Sequence, residues 1–220
     1  MNQLEGVNRF KLEAGLHVPD LITTVGQTGE MAELVAWFDA AYEDIQNLFT
    51  RWRFMNTQFS FPTIADTKAY TPAAVSITNH ASWKWEDIRI YDNLVDEVQL
   101  TYEPWEVYRF VRDIGVIPTG RPTHVSVKPD ESLIFWPTPD KVYTVTGERY
   151  ISPDILVANT GVPIMPVRFH MAIVWRALIY YAESLAAPES LAKGDRNYKR
   201  VYRSMYTSQI AKENWAEPLT

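Results

Sequence analysis

Four histidines are the first side chains to test for chemistry, because histidine serves as a metal ligand and as a general acid or base near neutral pH. They are His17, His80, His124 and His170, and none lies one helical turn from another or in an HxH pair. The chain has no cysteine, which excludes disulfides, a thiol nucleophile and thiolate metal sites. The sequence also lacks GxGxxG, Walker and GxSxG patterns. It therefore predicts that the protein has no metal site and no cofactor and is not an enzyme.

Two groups of acidic residues could support acid–base or metal chemistry, but their spacing argues against both. Asp92, Asp96 and Glu97 lack the ligand spacing and central glycine of an EF-hand loop, so we expect a turn between two strands. Glu86 and Asp87 are adjacent, and adjacent strand residues point to opposite faces of a sheet. A hydrolase is therefore the weakest alternative.

A set of basic residues near the end of the chain has the spacing of one helix face. Lys193, Arg196, Lys199, Arg200 and Arg203 include steps of three and four residues, which align side chains along a helix. One interpretation is a solvated face. The other is a surface that docks onto an acidic protein ring or onto phosphates.

Aromatic residues are abundant, with 8 Trp, 12 Tyr and 9 Phe among 220 residues. Such side chains contribute strongly to cores and to protein interfaces. One cluster lies in the middle of the chain: Trp83, Trp85, Tyr91, Tyr102, Trp105 and Tyr108. It has two interpretations, which are packing in the core of a sheet and a surface that binds carbohydrate or protein.

The composition is that of a globular protein, with 46% hydrophobic and 22% charged residues. The net charge of −6 divides into −9 for residues 1–162 and +3 for residues 163–220, which suggests two surfaces with different partners. No apolar run reaches the ~18 residues of a membrane-spanning helix, and the first residues do not resemble a signal peptide. We expect a soluble intracellular protein with no membrane partner.

Helical periodicity marks both ends of the chain. The pattern predicts helices over 2–14 and 30–53, the second about 36 Å long, and a helical hairpin over 167–186 and 188–214. Segment 167–186 is apolar nearly all round, so it should lie at the centre of a bundle. We expect the bundle core to contain four apolar residues: Phe38, Ile45, Ile173 and Leu178.

The middle third reads as short strands separated by Pro, Gly, Asn and Asp. The predicted strands cover 54–61, 88–91, 98–102, 124–127, 133–136 and 142–150. Their close spacing favours an antiparallel sheet or small sandwich, with one helical insert over 104–114. Residues 63–85 show few strand signals, and we expect a long loop there that could bind a partner.

The order of several short motifs resembles the head-to-tail adaptor proteins of tailed bacteriophages, over about residues 2–213. The motifs are Trp52-Arg53-Phe54, Phe59-Ser60-Phe61-Pro62-Thr63, Ala69-Tyr70-Thr71-Pro72, Arg121-Pro122-Thr123, Leu133-Ile134-Phe135-Trp136-Pro137-Thr138-Pro139-Asp140, Val142-Tyr143-Thr144-Val145 and Pro163-Ile164-Met165-Pro166-Val167-Arg168-Phe169-His170. The stretch 73–85 departs from the resemblance because it is longer and more polar than expected.

The resemblance implies an α+β fold, with a helical bundle formed from both chain ends and an inserted antiparallel β-domain. The implied domains are a bundle of 1–53 plus 164–213, a β-rich insertion of 54–163 with one short helix, and a C-terminal tail of 214–220.

The implied function is a structural virion protein, made in the host cytoplasm and located at the neck between capsid portal and tail. Its implied partners are the portal ring, tail nozzle, tail-tube or fibre proteins, neighbouring copies in a twelve-fold ring, and genomic DNA that passes without sequence specificity. The alternative is a tail-associated recognition module that binds carbohydrate or protein.

In the head-to-tail adaptors that this chain resembles, the C-terminal segment wraps around the portal ring. The resemblance therefore suggests six portal-interface candidates: Arg196, Lys199, Arg200, Arg203, Tyr206 and Trp215.

Overall fold

The structure is a computed structural model and describes residues 1–93 and 95–210. Its helices are α1 (Gln3–Glu13), α2 (Glu30–Asn47), α3 (Trp105–Val111), α4 (His170–Ser184) and α5 (Pro188–Gln209). Its strands are β1 (Asn56–Pro62), β2 (Ala69–Tyr70), β3 (His80–Tyr91), β4 (Val98–Gln99), β5 (Thr101–Tyr102), β6 (His124–Val127), β7 (Leu133–Trp136) and β8 (Thr144–Ile151). This order confirms the predicted α+β fold, with helices at both ends and sheets between them.

The chain forms two compact units. The helical unit comprises Met1–Met55 together with Pro153–Thr220, and the β unit comprises Asn56–Ser152. The domain limits expected from the sequence stay a prediction.

The helical unit is built around α4, which packs against α1, α2 and α5. Phe38 and Ile45 of α2 and Ile173 and Leu178 of α4 are all fully buried in it. The apolar character of α4 on almost every side fits this central place. One turn of 3-10 helix, Val167–Phe169, precedes α4.

Helix α1 begins with a capping box. The Asn2 side chain accepts a hydrogen bond from the Glu5 amide at 2.8 Å, and the Glu5 carboxylate accepts one from the Asn2 amide at 3.0 Å. These two bonds satisfy backbone donors that the first turn of a helix leaves free.

Helix α2 is shorter than predicted, because the expected helix over 30–53 ends at Asn47. The Trp52 indole N–H donates to the carbonyl of Ile45 at 3.1 Å, which satisfies one acceptor at the helix end. Trp52 is fully buried and lies edge-on to Tyr202 of α5 at 6.3 Å. Tertiary packing of Trp52 thus outweighs the heptad pattern that extended through it.

The β unit contains two four-stranded sheets, ordered β1-β8-β3-β4 and β2-β7-β6-β5. All pairs are antiparallel except β5 with β6, which are parallel. The sheets share a core of twelve buried residues: Phe59, Phe61, Tyr70, Trp83, Ile88, Ile90, Leu100, Val125, Leu133, Phe135, Tyr143 and Val145.

The expected long loop over 63–85 is wrong in part, since β2 and the first half of β3 lie within it. Strand β3 carries a bulge between Lys84 and Arg89 opposite β8. Gly147 of β8 accommodates this bulge, because a Cβ there would lie 3.2 Å from the Asp87 carbonyl oxygen and 2.9 Å from the Phe59 ring. The bulge breaks the two-residue alternation that identifies a strand.

Candidate interaction surface

A ladder of three tyrosines runs along α5. Tyr198, Tyr202 and Tyr206 are spaced by four residues, with ring centroids 5.6 Å apart for the first pair and 6.0 Å for the second. The outer end meets the segment after α2, where Phe49 lies 6.4 Å from Tyr206. The ladder therefore leads from the bundle core to the surface, where Tyr206 is 48% exposed.

The inner end of the ladder is fixed by a charged network. Tyr198 is buried, and burial raises the pKa of its hydroxyl. The Arg176 guanidinium lies 5.6 Å from the Tyr198 ring and 4.9 Å from the Tyr180 ring. Its Nε donates to the Asp44 carboxylate at 2.8 Å, so that α2, α4 and α5 are joined at this point.

The predicted basic residues of α5 fall into two classes. Lys193 pairs with Glu13 at 2.9 Å and Lys199 pairs with Asp195 at 2.8 Å, so these two charges are largely compensated within the bundle.

The other three, Arg196, Arg200 and Arg203, are exposed and form no ion pair in the described part of the chain. Their steps of four and three residues place them on one outer ridge of α5. The structure thus brings these three portal candidates together on one line.

The remaining candidates lie beside the ridge or outside the described residues. A helical rotation of 100° per residue places Lys199 and Tyr206 together on one flank of the arginine ridge. Trp215 and the predicted tail lie outside the described residues, as does the predicted helical stretch beyond Ile210.

The central aromatic cluster is mainly core. Trp83 and Tyr108 are buried, while Trp85 and Tyr102 stack at 4.2 Å and Trp85 packs against the core of the sheets. Among the described residues, this arrangement favours the packing interpretation of the cluster.

The sequence interpretation missed an exposed apolar face on α3. Val107, Phe110 and Val111 of α3 are exposed, as is Ile114 beyond the end of the helix. The i, i+3, i+4 spacing of the three helical residues is the signal of an amphipathic helix. Tyr108 of the same helix points into the β unit, where it is fully buried and its hydroxyl donates to the Phe135 carbonyl at 3.0 Å.

Two of the histidines lie beside one carboxylate each, His80 at 3.4 Å from Glu131 and His124 at 3.6 Å from Glu103. No set of three or more His, Asp or Glu side chains within residues 1–93 and 95–210 could hold a metal ion. His170 is buried with Nε2 2.9 Å from the Met165 carbonyl oxygen, and burial lowers its pKa. Asp92, Asp96 and Glu97 lie in the segment between β3 and β4.

None of the described helices has the length and apolarity to cross a membrane.

Comparison with known proteins identifies the family of the chain. No curated protein matches the chain. The family model described as the SU10 adaptor protein matches residues 14–220, which covers α2 to α5 and all eight strands. This match confirms the resemblance to phage head-to-tail adaptors that the motif order indicated. The chain belongs to the SU10 adaptor protein family.

Proposed function

We propose that this phage adaptor is the structural ring between capsid and tail. In this function it docks on the portal, extends the DNA channel and provides the platform for tail attachment. Family membership supports the adaptor function. The docking, the channel and the platform are our proposal.

The proposed assembly is a ring of twelve copies at the virion neck. Its further partners are tail nozzle, tail-tube or fibre proteins and the genomic DNA that passes through without sequence specificity. The protein is made in the host cytoplasm and acts without catalysis. We propose the domain limits 1–53 plus 164–213, 54–163 and 214–220 for this assembly.

One observation carries the docking proposal, namely the three exposed arginines of α5 without an ion pair in the described chain. Arginine is enriched at the anchors of protein interfaces, and three aligned positive charges suit an acidic surface on the portal. We propose that Arg196, Arg200 and Arg203 contact the portal together with Lys199 and Tyr206, which flank them. We propose Trp215 of the tail, outside the described residues, as a further contact.

The test is charge reversal on portal-bearing heads. The variant Arg200→Glu with Arg203→Glu should slow the addition of the adaptor and remove most of its salt dependence, because surface charges act mainly on association rate. Arg168→Glu is the matched control, since Arg168 is exposed in the same unit and lies outside α5. If both variants added to the heads equally fast, the portal contact would lie elsewhere in the chain.

Truncation after residue 213 tests the proposed tail. We expect a folded, soluble monomer, because the bundle core lies within the residues that remain. Imaging of particles tests the location: a ring at the neck supports the proposed function, and density at fibre tips alone would contradict it.

A further inference from the structure

Strand β1 is a long free edge of the β unit. It stands at one end of the sheet β1-β8-β3-β4, whereas the other edge strands of the two sheets, β2, β4 and β5, have two residues each. No charged residue occurs from 54 to 65, and the register of β1 with β8 contains no bulge. Charged residues and bulges are the usual protection of an edge strand. Without them, β1 is suited to pair with a further strand.

The backbone groups at this edge belong to Gln58 and Ser60. The Thr63 amide donates to the Tyr143 carbonyl at 2.8 Å, and along an antiparallel strand the residues that bond to the neighbour alternate with those that do not. Phe59 therefore bonds to β8, as Thr63 does, whereas Gln58 and Ser60 turn N–H and C=O away from it. Both residues are exposed, and these groups have no partner among the described residues.

The helical unit carries a short segment with the same property. Residues 153–157 run without a helix, turn or bend. Ile155 and Val157 are 68% and 78% exposed, whereas Leu156 between them is buried. This alternation is that of a strand, and isoleucine and valine favour strands. In the part of the chain that the structure describes, the backbone of residues 155–157 makes no hydrogen bond.

The segment is held in place on both sides. Before it, the Asp154 amide donates to Gln46 Oε1 at 2.8 Å, and Gln46 Nε2 donates to the Asp154 carbonyl at 3.0 Å. After it, the Thr24 amide donates to Asn159 Oδ1 at 2.6 Å. A segment fixed in this way loses little entropy when it binds a partner.

We propose that residues 155–157 of one copy add to the β1 edge of a neighbouring copy as a further antiparallel strand. This inference rests on the proposed ring and names two surfaces that meet within it. Addition of a strand to an exposed sheet edge is a general mode of recognition, in which backbone hydrogen bonds supply the affinity. The two segments do not pair with each other within one described chain, where the backbone groups of both stay unbonded.

The antiparallel arrangement satisfies all the free backbone groups at the centre of the edge. Ile155 opposite Ser60 and Val157 opposite Gln58 form two bonded pairs, and each pair exchanges two N–H···O bonds. In a parallel arrangement each residue bonds to two different residues of its neighbour, and a segment of three residues is too short to supply them. Neither segment carries a charge, so no like charges meet in this register.

The proposed contact joins unlike surfaces, because β1 belongs to the β unit and residues 155–157 belong to the helical unit. A contact of this kind repeats from copy to copy and closes into a ring when the rotation permits. Two residue pairs provide much less surface than a stable interface buries. Free chains should therefore remain monomers, and the contact should add to others within the ring.

The absence of native cysteine makes disulfide trapping a direct test. Full-length chains with Gln58→Cys or Ser60→Cys are each mixed with chains carrying Ile155→Cys or Val157→Cys under a mild oxidant. The Cα atoms of a bonded pair lie about 5.5 Å apart, which a disulfide can span, whereas residues displaced by two positions lie too far apart. We expect at least about tenfold more mixed dimer from Ser60→Cys with Ile155→Cys, and from Gln58→Cys with Val157→Cys, than from the two crossed mixtures.

Two results would overturn the proposal. One is an equal yield in all four mixtures at the highest soluble concentration, because trapping accumulates even a transient pair. The other is a higher yield in the two crossed mixtures, which would contradict the antiparallel arrangement.

Proline variants test the backbone hydrogen bonds. Ser60→Pro in the Gln58→Cys chain removes a donor at the free edge, a place where a strand tolerates proline, and should lower the yield with Val157→Cys. Ser60→Ala is the matched control, because it keeps the N–H and should keep the yield. Ile155→Pro in the Val157→Cys chain removes the opposing donor without changing β1 and should lower the yield as well. A full yield with Ile155→Pro would contradict the backbone contact.

The same experiment separates this inference from the proposed function. A neck ring seen in particles whose copies do not link through residues 60 and 155 would leave the adaptor function intact and remove this contact. Specific linking without a neck ring would retain the contact and remove the proposed function.

Discussion

The contact between Gly6 of α1 and Phe38 of α2 gives a sharp test of the bundle core. A Cβ on Gly6 would lie 2.3 Å from Cζ and 2.7 Å from Cε2 of Phe38. Phe38 is fully buried, so its ring has no solvent-facing space to enter. Gly6→Ala should therefore destabilise the protein, although alanine is favoured over glycine within a helix by about 1 kcal/mol.

The size of the effect follows from two opposing terms. Overpacking a core costs about 1–3 kcal/mol, and so short a contact belongs at the upper end. Subtracting the helix preference leaves a net loss of about 2 kcal/mol for Gly6→Ala. Phe38→Ala alone should cost about 3–5 kcal/mol through the cavity that it leaves.

The double variant reverses the sign of the Gly6 effect. Without the Phe38 ring the added methyl group has space, so Gly6→Ala in the Phe38→Ala chain should stabilise by about 1 kcal/mol. The difference between the two backgrounds is a coupling of about 3 kcal/mol, at the upper end for residues in contact.

The assay is urea unfolding of the four chains, followed by far-ultraviolet circular dichroism. Ala36→Gly on the exposed side of α2 is the control that measures the helix preference alone. If Gly6→Ala stabilised the natural chain as much as the Phe38→Ala chain, the packing argument would be refuted. An unchanged Tm for Phe38→Ala would refute the core assignment itself.

Three further predictions address other parts of the molecule. Burial and the charge of Arg149 lower the pKa of His80 to about 4. Because the unfolded chain binds this proton below pH ~6.5, the free energy of unfolding should fall as the pH drops from ~6.5 to about 4. His80→Phe should reduce this pH dependence in thermal unfolding curves measured across that range. Asn159 Oδ1 accepts three hydrogen bonds from Thr23 and Thr24, so Asn159→Ala should cost about 1–3 kcal/mol in urea unfolding and Asn159→Asp much less. The isolated chain should bind no DNA tightly at ~0.2 M salt, since nonspecific phosphate contacts weaken steeply with salt; retained binding in a filter assay would contradict a passive conduit.

The helical part of the fold was largely predictable because burial imposes a period on the sequence. Leu34, Phe38, Ala41 and Ile45 recur at three- and four-residue steps, and all are fully buried. The helix limits were less predictable, because the indole of Trp52 ends α2 through a contact that depends on the folded structure.

The sheets were harder to predict because their signals depend on distant parts of the chain. The bulge in β3 hides its alternation, and Gly147, which makes room for the bulge, lies far along the sequence. The parallel pairing of β5 with β6 was not predicted either, because the close spacing of the strands favoured antiparallel pairs.

The basic face of α5 was predictable from the sequence, but which of its charges have an ion-pair partner was not. Lys193 and Lys199 have carboxylate partners, whereas Arg196 and Arg200 have none in the described chain. Spacing identifies which side chains share a face, and only tertiary structure shows which of their charges are compensated. The partner of Lys193 is Glu13, on a helix at the opposite end of the sequence.

The insertion of the β unit between the halves of the helical unit has a consequence for synthesis on the ribosome. Helix α2 ends at Asn47, but α4, which covers its apolar face, begins only at His170. At typical translation rates this interval lasts roughly 6 to 25 s. During that time α1 and α2 have no α4 to bury their apolar sides, whereas the whole β unit is synthesised before α4 begins. The β unit should therefore fold first, and the early helices should be the segment of the nascent chain that chaperones bind.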